Sequence, residues 1–63
     1  MQTVFVVYDV NCNCVDSVWT GLENFLDFVV CDEEVTFKMV EKTAHVSLDG
    51  HLIYHVIPFE VSN

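Results

Sequence analysis

The sequence has no arginine and only two lysines, Lys38 and Lys42, against ten aspartates and glutamates. Its formal charge is −8 at pH 7 and its isoelectric point is near 4.3. Non-specific affinity for nucleic acid comes mainly from lysine and arginine contacts to phosphates. A surface this short of cations repels a phosphate backbone, so we expect no direct binding to DNA or RNA.

Long apolar runs and flexible linkers are also missing, although 52% of the residues are hydrophobic. No run approaches the roughly 18 residues of a membrane-spanning helix. The first ten residues, MQTVFVVYDV, lack the basic start and the small-residue cleavage site of a secretory signal. With one proline and two glycines, the chain contains no linker-like segment. These features predict a single domain over residues 1–63, located in the cytoplasm.

Cysteines are few, and their spacing argues against a metal site. Three thiols, Cys12, Cys14 and Cys31, cannot all pair within one chain, and a reducing cytoplasm disfavours disulfides. Zinc sites usually separate paired cysteines by about two to four residues, whereas here one residue intervenes. We therefore predict no metal and no cofactor, with NCNC forming a turn and Cys31 a buried thiol. A metal site built from the three cysteines is the weaker alternative.

The histidines are poorly placed for a metal as well. The Asp-Gly dipeptide at residues 49–50 lies between two β-rich runs and predicts a type I′ hairpin turn. A regular hairpin around it pairs His45 with Tyr54, which places His45 on the opposite sheet face from His51 and His55. Those two are four residues apart, about 13 Å along a strand.

Hydrophobic periodicity predicts a strand followed by a helix in the first half of the chain. Residues 3–10 are almost continuously apolar and rich in β-formers, which is typical of a central strand covered on both faces. Residues 15–30 carry apolar side chains at three- and four-residue steps, which predicts an amphipathic helix. These are Val15, Val18, Trp19, Leu22, Phe25, Leu26 and Val29. A capping box at Thr20 and Glu23 would instead begin this helix a turn later.

The second half of the chain predicts three strands. Alternation in EVTFKMVE, residues 34–41, indicates a half-buried strand that turns tightly near Glu41 and Lys42. The last strand covers residues 51–57, and Pro58 should end its pairing or confine it to an edge. The predicted fold class is α+β in the order β-α-β-β-β, with one amphipathic helix packed on a mostly antiparallel four-stranded sheet.

Signals for catalysis are weak. Asp9 near the end of a central strand is a lone carboxylate, and no phosphate-binding glycine loop or calcium loop is present. A domain of this size also leaves little room for a substrate pocket. We expect a protein that is not an enzyme.

The carboxylates show a pattern of their own. On the predicted helix, three of them lie at offsets of 0, 7 and 11 on the face away from the core, and three more follow the helix end. They are Asp16, Glu23, Asp27, Asp32, Glu33 and Glu34. Solubility alone could account for an acidic surface, but acids near a helix C-terminus oppose the macrodipole. This cluster therefore favours a binding surface for a basic protein, with Trp19 and Tyr54 as candidate aromatic anchors.

Apolar residues exceed what one helix can cover. The first and last strands carry apolar side chains on both faces, so one face of the sheet stays uncovered. An uncovered apolar face is usually an interface. We expect either a homodimer or a hydrophobic contact with another protein.

In size, acidity and compactness the chain is similar by type to inhibitors that bacteriophages and mobile elements direct at nucleic-acid-handling enzymes, although no motif identifies a family. The similarity implies a non-enzymatic nucleic-acid mimic that binds a basic, nucleic-acid-processing protein in the host cytosol. Two alternatives stay open. One is a cysteine-based metal-binding or redox protein, and the other is a structural subunit that acts through an apolar sheet face.

Overall fold

A computed structural model describes residues 2–62. Its elements are β1 (Gln2–Asp9), β2 (Cys14–Trp19), α1 (Leu22–Val29), β3 (Val35–Val40), β4 (Thr43–Leu48) and β5 (His51–Val61). The five strands form one antiparallel sheet in the order β2-β1-β5-β4-β3. Helix α1 connects the two edge strands, β2 and β3, and so crosses one face of the sheet. Within residues 2–62, no helix has the length and apolar character needed to cross a membrane.

The predicted four-stranded β-α-β-β-β order is wrong, because residues 14–19 form strand β2 instead of the first turns of a helix. Helix α1 begins after Gly21, whose backbone is extended with φ −134° and ψ 126°. The start lies near the alternative suggested by the capping box, but Gly21 provides no side-chain cap. Valine and tryptophan suit a pleated strand, and here that preference outweighs helical spacing.

A tight turn returns the chain from β1 to β2. One carboxylate oxygen of Asp9 accepts hydrogen bonds from the backbone N–H groups of Asn11, at 2.9 Å, and Cys12, at 3.1 Å. Asn13 adopts a left-handed backbone with φ 59°, and its side chain accepts a hydrogen bond from the Tyr8 hydroxyl. Asparagine tolerates this conformation. The prediction that NCNC forms a turn is confirmed for its first three residues, while Cys14 begins β2. The turn leads into a second strand, which the sequence interpretation missed.

Both hairpins predicted in the second half of the chain are confirmed. Strands β3 and β4 pair from Val35 and Leu48 to Val40 and Thr43, around a turn in which Glu41 has φ 60°. The turn between β4 and β5 has φ 51° at Asp49 and φ 84° at Gly50. Positive φ at both central residues is what a type I′ turn requires.

Strand β5 continues through Pro58 to Val61, with Pro58 paired to Phe5 of β1. The pairing of β5 with β4 reaches only as far as Ala44 and Val56. The proline therefore lies where β5 has a neighbour on one side, and its missing N–H leaves no ladder bond unmade. Of the two outcomes predicted for this proline, pairing along an edge is the one observed.

The core lies between α1 and one face of the sheet. Its buried residues are Val7, Phe25, Val35, Ala44, Val46 and Val56. Phe25 is the only buried residue of the helix, and Leu22, Leu26 and Val29 pack around it at the predicted helical spacing. The opposite face of the sheet, which we call the helix-free face, has no covering element among residues 2–62.

Replacing Phe25 with alanine should lower the free energy of unfolding by about 3–5 kcal/mol, because it removes a fully buried aromatic ring. Phe28→Ala on the same helix is the matched control, since that side chain is 69% exposed and should cost about 1 kcal/mol or less. Urea unfolding followed by circular dichroism measures both, with Phe25→Leu as a milder variant. Equal losses at the two positions would contradict this packing.

Candidate functional site

Five exposed carboxylates lie on α1 and in the loop that follows it. They are Glu23, Asp27, Asp32, Glu33 and Glu34, which we call the acidic helix–loop surface. Glu23 and Asp27 are four residues apart and therefore share one side of the helix. The last turn of the helix contains no basic residue, and the sequence has no lysine or arginine before Lys38. No lysine or arginine in this segment therefore neutralises the negative charge of these side chains.

Backbone hydrogen bonds hold this loop in place. The helix ends with a bond of 2.8 Å from the Val30 N–H to the carbonyl of Leu26. The Val35 N–H bonds to the carbonyl of Asp32 at 3.2 Å, and the Asp49 N–H bonds to the carbonyl of Glu34 at 2.8 Å. The last bond ties the loop to the β4–β5 turn, so the acids project from a fixed backbone.

Asp16 lies on strand β2 and is not part of the acidic helix–loop surface. It is the extra residue of a β-bulge in edge strand β2, between the pairs Val7–Ser17 and Tyr8–Val15. Its carboxylate accepts a hydrogen bond from the Ser17 hydroxyl at 3.2 Å. The predicted stripe with offsets of 0, 7 and 11 is therefore wrong at its first member, because that member lies on a strand.

The two proposed aromatic anchors pack against Phe25 of the helix. The ring of Phe25 makes edge contacts with Trp19, at 5.4 Å between centroids, and with Tyr54, at 5.9 Å. The Trp19 indole N–H also donates to the Ser17 hydroxyl at 2.9 Å. Both rings are half-buried and serve to hold the helix.

Phe28 is the exposed aromatic residue that the sequence interpretation overlooked. It is 69% exposed, adjoins Asp27 on α1, and lies 5.7 Å from Trp19 between ring centroids. In the sequence it is recognisable as an apolar residue that does not share the helix face of Leu22, Phe25 and Val29.

Tyr54 lies close to acids that are separate from the helix–loop surface. Burial, followed by the carboxylates of Asp16 and Asp9, raises the pKa of Tyr54 above its usual 10.0. The phenol is thus neutral at physiological pH and can donate a hydrogen bond. Because the folded state favours the neutral phenol, its contribution to stability is complete below pH 10 and is lost as pH rises through the raised pKa.

All three cysteines are free and exposed, so the expectation that Cys31 is buried is wrong. Cys31 follows the helix end, in a loop that leaves its side chain in solvent. The Asp9 carboxylate, followed by the Cys14 thiol, raises the pKa of Cys12 above 9.0. Such a shift lowers the thiolate fraction, which is the reactive form of cysteine. In residues 2–62, no group of three or more His, Cys, Asp or Glu side chains is arranged to hold a metal ion.

The helix-free face carries many apolar side chains. Those exposed by a third or more on the strands of this face are Val15, Val18, Val40, Ile57, Phe59 and Val61. Val4 and Val6 of β1 lie between them and are half-buried. The surplus of apolar residues that the sequence predicted therefore lies mostly on this face.

Two histidines meet on the same face. A register shift between Val46 and Ser47 makes Ile53 an extra residue in β5, so His45 pairs with His55. Their ring centroids are 4.5 Å apart. The prediction that His45 and His55 lie on opposite faces is wrong, because one bulge residue moves every later side chain of β5 to the other face.

A groove of about 580 Å³ lies beside the helix, on the part of the sheet that eight helical residues do not reach. Its lining residues are Thr3, Phe5, Leu22, Met39, Glu41, Lys42, Pro58 and Glu60. The volume falls within the usual range for small-molecule pockets, so the expectation of little room for a pocket is wrong.

Comparisons of the chain with protein-family models, curated proteins and solved structures found no match.

Asp9→Asn should accelerate alkylation of Cys12 severalfold at pH 8. Asparagine can accept the same backbone hydrogen bonds from Asn11 and Cys12, so the turn is kept while the charge that raises the thiol pKa is removed. Peptide mapping after limited iodoacetamide treatment measures the rate. Cys31 in the same sample is the internal control and should react at an unchanged rate. Equal acceleration at both thiols would contradict a local effect of Asp9.

Proposed function

We propose that this chain is a non-enzymatic interaction domain whose acidic helix–loop surface binds a basic, nucleic-acid-handling protein in place of phosphates. The observation that supports this most is the fixed set of five exposed carboxylates, from Glu23 to Glu34, with no lysine or arginine among them. Complementary charge of this kind steers association and occupies sites built for polyanions.

Local structure supports a binding role over simple solubility. Acids beside a helix C-terminus oppose the macrodipole and lower helix stability. The loop that carries Asp32, Glu33 and Glu34 is nevertheless tied to the β4–β5 turn by the Asp49 N–H. Phe28, exposed beside Asp27, adds an aromatic contact of the type enriched at interface centres. Three free, exposed cysteines fit a reducing compartment, which supports the proposed location in the cytoplasm.

The double variant Glu33→Lys, Glu34→Lys should abolish capture of the partner. Tagged protein is incubated with reduced, nuclease-treated lysate of the native host and eluted along a salt gradient. The wild-type chain should release a basic nucleic-acid enzyme as salt rises, because screening weakens exposed charge pairs. Purified partner should then lose binding to duplex DNA or RNA when the wild-type chain is added.

The matched control is Glu41→Lys, Glu60→Lys, which changes net charge equally but lies outside the acidic helix–loop surface. It should retain capture. Equal loss in both double variants would show that total charge alone matters. A partner that stays bound at high salt would contradict the charge-based mechanism.

The helix-free face supports a second candidate function, self-association into a structural dimer. Five strands about 4.8 Å apart and about 25 Å long span roughly 600 Å² in outline, close to the roughly 800 Å² that each partner buries in a standard interface. Apart from the bulge at Asp16, the strand register places no carboxylate on this face. Two copies with a charge of −8 each can therefore meet there without opposing acids.

Phe59→Glu should shift the protein to a monomer at micromolar concentration, because it places a charge between Ile57 and Val61 on the apolar face. Sedimentation equilibrium measures the mass. Phe28→Glu is the control, since Phe28 is more exposed but lies on α1, on the other side of the sheet. A monomeric wild-type chain, or equal masses for both variants, would contradict self-association through this face.

A further inference from the structure

We propose that His45 and His55 form a two-imidazole site for a first-row transition metal ion such as Zn²⁺, Ni²⁺ or Cu²⁺ on the helix-free face. The two residues are directly opposite each other on β4 and β5. Directly opposed side chains on neighbouring antiparallel strands have Cβ atoms about 4.5–5.5 Å apart, which brings both rings to one point above the sheet.

The ring separation fits two ligands of one ion. A zinc–nitrogen bond is about 2.0–2.1 Å and the ring centre lies about 1.1 Å beyond the nitrogen, so the ring centre is roughly 3.2 Å from the metal. Two imidazoles at about 90–110° around one ion then have centroids about 4.5–5.2 Å apart. The centroids of His45 and His55 are separated by 4.5 Å, with 50° between the ring planes.

An unpartnered nitrogen is a second, independent observation. Nε2 of His55 is buried and has no hydrogen-bond partner. Buried polar atoms in folded proteins nearly always have a partner, and a bound ion or water accounts for many apparent exceptions. In the tautomer protonated at Nδ1, Nε2 carries the free lone pair that a metal ion requires.

The surroundings favour borderline metals over calcium or magnesium. Imidazole nitrogen suits zinc, copper and nickel, whereas the hard cations need several oxygen ligands. The residues next to the pair in the same row are Tyr8, opposite His55, and Lys38, opposite His45. Lys38 is exposed, so its long side chain can extend its charge away into water.

The site is tested by titrating Zn²⁺ and Ni²⁺ into the full chain by isothermal calorimetry. The exposed thiols could also bind these ions, so the native chain is compared with a variant in which Cys12, Cys14 and Cys31 are replaced by serine. The cysteine-free variant should still bind one ion per chain. Binding that disappears in the cysteine-free variant would assign the ion to the thiols and overturn the proposal.

Within the cysteine-free chain, His45→Ala and His55→Ala should each weaken binding at least tenfold. His51→Ala is the matched control, because it removes the third histidine, which is exposed beside the β4–β5 turn and paired with Leu48. It should bind like its parent. Unchanged affinity in His45→Ala, or an equal loss in His51→Ala, would overturn the proposal.

Folding and self-association are controlled separately. Circular dichroism checks each variant, and His45→Gln tests the half-buried position with a side chain that keeps its polarity if either alanine variant unfolds. The same titration in Phe59→Glu separates the site from the dimer, since one chain supplies both imidazoles. Loss of binding in that variant, with its fold intact, would contradict a site contained in one chain.

Discussion

The packing of Phe25 between Trp19 and Tyr54 is the contact on which the rest of this structure depends. An eight-residue helix is not stable in water by itself, so α1 exists because Phe25 is buried on the sheet. The helix also joins the two edge strands, and its docking therefore sets the path of the acidic loop that leads to β3. Its short length leaves the groove beside Leu22 uncovered.

Local turn chemistry explains which parts of the fold could be predicted. Asp49 and Gly50 both adopt positive φ, as a type I′ turn requires. An Asp-Gly pair between two β-rich runs therefore predicts a hairpin. Residues 14–19 were misassigned because their apolar positions satisfy a helical spacing as well as a strand. The turn built by Asp9 and Asn13 decides between them, since it reverses the chain next to β1. Most of the acidic surface could still be predicted, because Glu23 and the acidic residues after it lie beyond the misassigned segment.

The histidine pair depends on a feature that alternation patterns do not reveal. A bulge adds one residue to one strand, and its position follows from how side chains pack across the sheet. The sequence gives some indication of the bulge. The core is formed best when Ala44 lies opposite Val56 and Val46 lies opposite Tyr54. With a two-residue turn, both pairs form only if β5 contains an extra residue near Ile53. Choosing that register required knowing that His55 is less suited to the core than Val56. The regular register assumed from the turn alone therefore separated His45 from His55.

The acidic helix–loop surface and the helix-free face lie on opposite sides of the sheet, and this makes the proposed dimer compatible with a charge of −8 per chain. Two sheets packed face to face are about 10 Å apart, while each helix and its acidic loop lie on the outer sides of the pair. The carboxylates of the two acidic helix–loop surfaces are then farther apart than the Debye length of about 8 Å at physiological ionic strength, so their repulsion is largely screened. Such a dimer displays two acidic surfaces facing away from each other. A partner with two basic sites in reach would bind it with an avidity that neither surface has alone, and a monomer with the same carboxylates would not.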